Sequence, residues 1–269
     1  MKDRSATLEP HQARKRFGQH FLQDTMIIER IVSSLNLKRQ DCLLEIGPGL
    51  GALTYRLLGR VDQLLAIEVD RDLAGQLRQN SPAYGTLRLT EGNALKVDYT
   101  LLAAGRPLRI VGNLPYNIST PLLFHLLHQA ATIQDMTFML QKEVVDRLTA
   151  SPGSKNYGRL SVMAQYYCQT DWLFDVASDC FKPAPKVMSA VIRLLPRPFT
   201  EHCLQPHALA EVVTQAFGQR RKTLRNALKL LIPAEAMTAM GINPAARPEE
   251  LSIGQYVHLS NWWVTHSSD

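Results

Sequence analysis

The chain has 269 residues, 45% of them hydrophobic, and a formal net charge of +6. That length suits one large domain or a large domain with a small companion, and no apolar run approaches the roughly 18 residues of a membrane span. The N-terminal stretch MKDRSATLEPHQARKRFGQ lacks an apolar h-region, so no secretory signal is read and a cytoplasmic location is expected. Cys42, Cys168, Cys180 and Cys203 show no Cys-x-x-Cys spacing, which argues against a zinc site or a disulfide framework; they are read as reduced and mostly buried. A monomer with no metal and no membrane association is expected.

In chain order, TMIIERIVSSLNL has helical periodicity, CLLEIGPGLG reads as a strand entering a glycine turn, and ALTYRLLGR as a helix. LLAIEVD is a strand, RDLAGQLRQN a helix, and LRLTEGNAL and LRIVGNLPY are further strand-to-loop units. MTFML is a short buried strand, and VMSAVIRLL a β-branched run near residue 190. Strands alternating with helices predict an α/β fold, a mostly parallel sheet covered on both faces, with ligands bound at the carboxyl ends of its strands. After LLPRPFT two prolines break the pattern, and everything beyond reads as helix. The expected organisation is therefore a mostly parallel α/β domain at 1–197 and an all-helical domain at 198–269.

Two stretches carry chemistry. Gly47-Pro48-Gly49-Leu50-Gly51 follows the strand LLEI, and Glu68 closes the next strand about 20 residues later, where a carboxylate can hold two ribose hydroxyls. This pattern points to a nucleoside cofactor without separating NAD from S-adenosylmethionine. The segment Gly112-Asn113-Leu114-Pro115-Tyr116 separates them. An exocyclic adenine amino group is a poor nucleophile because its lone pair is delocalised into the ring. It becomes nucleophilic when acceptors draw its hydrogens out of the ring plane. Asn113 offers a side-chain carbonyl and Leu114 a backbone carbonyl. Pro115 has no N–H and holds Leu114 extended, and Tyr116 offers a flat face on which a base can stack. The same acceptors favour positive charge developing on nitrogen.

Those residues bring a family into view. RKRFGQHFL (14–22), LEIGPGLGALT (44–54), IEVDRDL (67–73), GNLPYNISTPLLFHLL (112–127), FKPAPKVMSAVIRL (181–194) and AFGQRRKTLRNAL (216–228) resemble the KsgA (RsmA) family, the small-subunit ribosomal RNA adenine dimethyltransferases. The resemblance implies a Rossmann-like methyltransferase using S-adenosylmethionine. Its reaction would dimethylate two adjacent adenosines near the 3′ end of 16S rRNA within the small (30S) ribosomal subunit, with a part in subunit maturation. It implies cofactor contacts from His20, Leu22, Gly47, Glu68, Asn93 and Asn113, and catalytic roles for Asn113, Leu114, Pro115 and Tyr116. Phe181 would sandwich the target base opposite Tyr116. Two positions depart from the commonest pattern: His20, where Asn is frequent, and Asn93, where Asp is usual.

Residues 216–229 carry Arg220, Arg221, Lys222, Arg225 and Lys229 without an acid, and are expected to contact RNA phosphate. Helical spacing puts Arg221, Arg225 and Lys229 on one face and Phe217, Leu224, Leu228 and Leu231 on the apolar stripe. A second basic cluster is Arg14, Lys15 and Arg16. His125 and His128 are read as structural, and Trp262 and Trp263 as packing residues. Three alternatives stay open: the related Erm type acting on large-subunit rRNA, a DNA adenine methyltransferase, and an assembly factor that works by binding alone.

Overall fold

The computed structural model describes residues 19–198, 200–219 and 221–267. The short strand β1 (Phe21–Leu22) is followed by β2 (Cys42–Ile46), β3 (Leu64–Glu68), β4 (Leu87–Glu91), β5 (Leu108–Asn113) and β6 (Ile133–Gln141). Then come β7 (Cys168–Val176), β8 (Phe181–Lys182) and β9 (Ser189–Pro196). Seven strands form one sheet in the order β4-β3-β2-β5-β6-β9-β7, and β1 pairs antiparallel with β8 in a separate ribbon. β4, β3, β2, β5 and β6 run parallel, while β9 is antiparallel to both its neighbours.

Strand alternation splits the core between two faces. Cys42, Leu44 and Ile46 of β2 join Ile110 of β5 and Phe138 of β6 on one face. Leu43, Leu64, Val111 and Met139 face the opposite cluster, beneath the helix Thr25–Ser34. This double burial explains why β2 and β3 read as continuous apolar runs. From β2 the chain winds outward through β3 to β4, then returns to β5 on the other side. The order therefore switches between β2 and β5, and a crevice opens there above the strand ends.

β7 is absent from the strands read off the sequence, although Thr170, Trp172, Phe174 and Val176 alternate in it; it pairs with β9 at the sheet's edge. After β9 the described chain is helical, with helices Pro206–Phe217, Leu224–Ala227, Ala234–Ala239 and Ile253–His266. Their core (Leu209, Val213, Leu224, Met237, Tyr256) also takes in Tyr157, Val162 and Met163, which precede β9 in sequence. Trp262 and Trp263 pack against this core.

Helix forms over only part of the basic stretch RRKTLRNALKLL, where helical spacing predicts it. The helix Pro206–Phe217 stops at Gly218, Thr223 is extended (ψ 160°), and only Leu224–Ala227 is helical beyond. The cause is tertiary: the Leu224 and Arg225 N–H groups donate to the Ala246 and Pro244 carbonyls. The apolar stripe survives in part, with Leu224 and Leu228 buried, while Arg221, Lys222, Arg225 and Lys229 stand apart from it. None of these four enters an ion pair among the described residues. Arg220 and the cluster Arg14, Lys15 and Arg16 lie outside the described residues.

All four cysteines are free; Cys42, Cys168 and Cys203 are buried and Cys180 is half-buried. No helix among the described residues is long and apolar enough to cross a membrane. Among them, no three His, Cys, Asp or Glu residues cluster as a metal site. His125 Nε2 lies 2.8 Å from the Val97 carbonyl and His128 Nδ1 2.6 Å from that of Phe124, so both rings have backbone partners.

Candidate active site

A cavity of about 310 Å³ occupies the crevice. Its lining includes His20, Leu22, Gly47, Glu68, Asn93 and Asn113, together with Leu114, Pro115 and Tyr116. These residues come from separate segments of the chain, and the end of each central strand delivers its own.

After β2 the chain turns at Gly47, whose φ of +69° suits glycine. The next strand ends at Glu68, which is 4% exposed. Its Oε2 accepts from the Gly49 N–H (3.0 Å) and its Oε1 from the Asp70 N–H (2.9 Å). Burial raises the Glu68 pKa, while the Asp70, Gly49 and Val69 amides pull it back. Both oxygens are thus oriented by main chain, and each keeps a lone pair for a ligand hydroxyl. Asn93 lines the same end, and its Oδ1 also accepts from the Leu95 N–H at 3.0 Å.

β5 ends in Gly112-Asn113. A Cβ at Gly112 would stand 2.5 Å from the Ile46 carbonyl oxygen, so only glycine lets β5 approach β2 here. Asn113 Nδ2 donates to the His20 carbonyl (3.0 Å). That bond orients the amide, and Oδ1 has no hydrogen-bond partner among the described residues. The Leu114 N–H is tied to the Met139 carbonyl (3.2 Å), and none of the turn and loop hydrogen bonds uses the Leu114 carbonyl. The cavity wall thus holds one side-chain amide oxygen free to accept, next to a second such acceptor on the backbone.

Tyr116 is anchored at its hydroxyl by Ser189 Oγ (2.9 Å). Burial raises the phenol's pKa, offset in part by that hydrogen bond. Its ring stacks on His20, with centroids 5.4 Å apart and planes 28° from parallel. His20 is in turn held through Nδ1, 2.8 Å from the Pro183 carbonyl oxygen.

The structure does not bring Phe181 to this surface. Its side chain is 5% exposed and packs with Leu22, Val176 and Val191. In the β1–β8 ribbon Phe181 is opposite Leu22, so alternation turns it inward and Lys182 outward.

Glu45 is a cavity residue that the sequence motifs do not point to, a lone carboxyl in the apolar strand CLLEI. That isolation is its readable signal. Glu45 is buried and accepts from Thr54 Oγ1 at 2.7 Å. Burial pushes its pKa to about 8, a rise that the Thr54 bond opposes and the Glu68 charge reinforces. A carboxyl whose folded pKa is raised contributes stability that is present below its ordinary value of 4.5 and lost as pH rises through about 8. Glu45→Gln is therefore expected to remove a slope of up to about 1.4 kcal/mol per pH unit over that window. Denaturant unfolding of both proteins between those pH values checks it; parallel curves would mean that Glu45 is not protonated in the fold.

The family model for "Ribosomal RNA adenine dimethylase" matches residues 10–264, which spans the strands, the cavity and the helices beyond β9. The chain belongs to the ribosomal RNA adenine dimethylase family. Its relatives in that family include the ribosomal RNA small subunit methyltransferase A of Alcanivorax borkumensis, 53% identical over 94% of this chain and 91% of the relative. The protein of the same name from Methylococcus capsulatus is 55% identical over 93% of this chain and 97% of the relative. Among solved structures, a dimethyladenosine transferase from Plasmodium falciparum shares the fold at 24% identity, with a TM-score of 0.77 over 89% of this chain and 96% of its own. The 23S rRNA methyltransferase ErmE is 27% identical, with a TM-score of 0.68 over 89% of this chain and 98% of its own. The α/β fold with a Rossmann-like sheet is thus the fold of the family's methyltransferases.

Proposed function

We propose that this protein dimethylates the amino groups of two adjacent adenosines near the 3′ end of 16S rRNA, with S-adenosylmethionine as methyl donor, during maturation of the small (30S) subunit. The observation that carries the chemistry is Asn113 Oδ1, without a hydrogen-bond partner among the described residues, beside the Leu114 carbonyl on the cavity wall. The small-subunit target is supported by relatives of that name at more than half identity, against 27% to ErmE.

The cavity fits the cofactor. Glu68 offers two main-chain-oriented carboxylate oxygens for ribose hydroxyls, and Gly47 keeps the wall beside them free of a side chain. Asn93 retains one lone pair on Oδ1 for a ring amino group, and His20 and Leu22 close the near side. When bound, the cofactor supplies an electrophilic methyl group on a sulfonium. The chain's own residues do the rest. Asn113 Oδ1 and the Leu114 carbonyl accept from the adenine amino hydrogens, pull the nitrogen lone pair out of conjugation, and stabilise the positive charge that grows there. Pro115 fixes the aim of the Leu114 carbonyl. The target adenine must leave its stack to enter, and Tyr116 receives it on a ring face. A base-sandwiching role for Phe181 would require it to leave its apolar cluster, so Tyr116 is taken as the stacking partner.

In this reading residues 1–197 form the methyltransferase unit and 198–269 a helical unit that contacts RNA, acting as a cytoplasmic monomer without metal. Arg220, Arg221, Lys222 and Arg225 are proposed as phosphate contacts. Arg221→Glu with Arg225→Glu is expected to weaken subunit binding and to lower the log–log salt slope by about 1 for each phosphate no longer neutralised. Binding titrations at several salt concentrations test this; an unchanged slope in the folded variant would remove this face from the interface.

Tyr116→Ala is expected to lower methyl transfer about tenfold or more, since a base–aromatic stack contributes roughly 1–3 kcal/mol. Tyr116→Phe keeps the ring and should retain much of the rate. Single-turnover transfer with both variants is the check, and wild-type rates for Ala would rule out the stacking role. The function as a whole is tested by labelled-methyl transfer to under-methylated small subunits, followed by mapping of the modified nucleotides. Label in large-subunit rRNA or in DNA alone would overturn it.

A further inference from the structure

The loop between β8 and β9 is fastened to the cavity rim at both ends. The Pro183 carbonyl lies 2.8 Å from His20 Nδ1, and Ser189 Oγ lies 2.9 Å from the Tyr116 hydroxyl. His20 and Tyr116 both line the cavity and stack on each other. A third tie comes from below, where the Lys142 N–H donates to the Met188 carbonyl at 2.9 Å. Lys186 is midway between the two anchors in sequence, so its Cα lies within about 10 Å of both. Pro183 and Pro185 restrict the backbone between them, and Pro185 is buried.

What this stiffened loop presents is specific. Lys182 and Lys186 are exposed, and neither enters an ion pair among the described residues. The segment from Cys180 to Thr200 has no acidic residue. The acids that its surroundings supply are engaged elsewhere: Asp146 and Asp175 with Lys142, and Asp24 as the cap of the helix Thr25–Ser34. Asp179 lies by Cys180, before β8 begins. Beside the two lysines, Val187 and Met188 are each 46% exposed. Two cations without an ion pair among the described residues, next to exposed apolar surface on a loop tied to the cavity residues His20 and Tyr116, match a single-stranded nucleic-acid backbone with unstacked bases. A small inorganic anion would not need the apolar part.

We propose that the 182–188 loop is a second RNA contact of the site: Lys182 and Lys186 hold phosphates flanking the target adenosine, and Val187 and Met188 pack against a neighbouring unstacked nucleotide. The inference rests on the rRNA-methylating reading above and adds a contact close to the reacting base, distinct from the basic surface at 221–225. Because the loop is anchored before RNA arrives, its cations position the strand with little ordering cost.

The test is Lys182→Gln with Lys186→Gln, beside Lys182→Arg with Lys186→Arg, in the full-length protein. Binding of under-methylated small subunits is titrated over a salt series, and methyl transfer is measured at varied subunit concentration. The Gln pair is expected to raise KM for subunits several-fold, with the change concentrated in KM rather than kcat. It should reduce the log–log salt slope by about 1.4, at about 0.7 per phosphate on a single strand. Cofactor affinity should be preserved, and the Arg pair should keep the wild-type slope. An unchanged slope for the Gln pair, or a loss confined to kcat, would overturn the proposal. Wild type that neither binds nor methylates subunits would instead overturn the functional reading on which it rests.

Discussion

Asn113→Ala is expected to lower kcat for methyl transfer about 10²–10³-fold, the range found when one preorganised group facing a developing charge is removed. The geometry gives the reason. Asn113 Nδ2 is committed to the His20 carbonyl at 3.0 Å, so Oδ1 is held in place before any substrate arrives. Alanine removes the acceptor and also frees residue 20, whose ring stacks on Tyr116. Asn113→Asp keeps the acceptor but loses the donor, and sets a carboxylate against the His20 carbonyl; it should fall between wild type and Ala. Single-turnover transfer with saturating cofactor reads the effect, and thermal unfolding confirms that each variant is folded. An Ala variant retaining more than about a tenth of the wild-type rate would mean that the Leu114 carbonyl suffices.

The other end of the same strand carries the largest expected effect on stability. Arg109 is buried between two carboxylates. Its Nε and Nη2 donate to Asp135 at 3.0 and 2.7 Å, Nη1 to Asp41 at 2.7 Å, and Nη2 also to the Leu35 carbonyl at 2.6 Å. Burial alone would raise the Asp41 pKa, but the Lys38 amide and the Arg109 guanidinium outweigh it and hold it below the ordinary value. Arg109→Ala leaves two carboxyls desolvated without their partner, at a cost of about 3–5 kcal/mol. Replacing Arg109, Asp41 and Asp135 together with apolar residues of similar volume should recover most of that, because no buried charge is left behind. Equilibrium urea unfolding measures both. A cost below about 1 kcal/mol for the single variant would mean that water reaches the cluster and screens it. Asn113 follows Arg109 by about 13 Å along the strand, so the folded fraction of Arg109→Ala should keep its methyl-transfer rate. In the opposite pH sense to Glu45, the depressed Asp41 contributes stability present above its unfolded value and lost as pH falls through the folded one.

By itself the sequence determined the sheet and the mouth of the site. CLLEI, LLAIE and LRIVGN are largely apolar because both sheet faces are covered, a pattern that needs no coordinates to read. Gly47, Glu68 and Asn113 stand at the ends of those runs, and strand ends in a parallel sheet converge on one crevice. Local chemistry also fixed the Leu114–Pro115 geometry, since proline restricts its predecessor whatever surrounds it.

Tertiary structure decided whatever depends on partners distant in sequence. The basic stretch RRKTLRNALKLL has helical spacing, yet the 244–246 loop captures the Leu224 and Arg225 N–H groups and only Leu224–Ala227 is helical. A hydrogen bond to a segment about twenty residues away leaves no mark in local periodicity. The family resemblance implies that Phe181 sandwiches the target base, but pairing of β8 with β1 turns it into the core and turns Lys182 to solvent. The place of β7 at the sheet's edge is set by its pairing with β9. Glu45 is legible as a lone acid in an apolar run, but its protonation near neutral pH follows from the burial that only the packed sheet imposes.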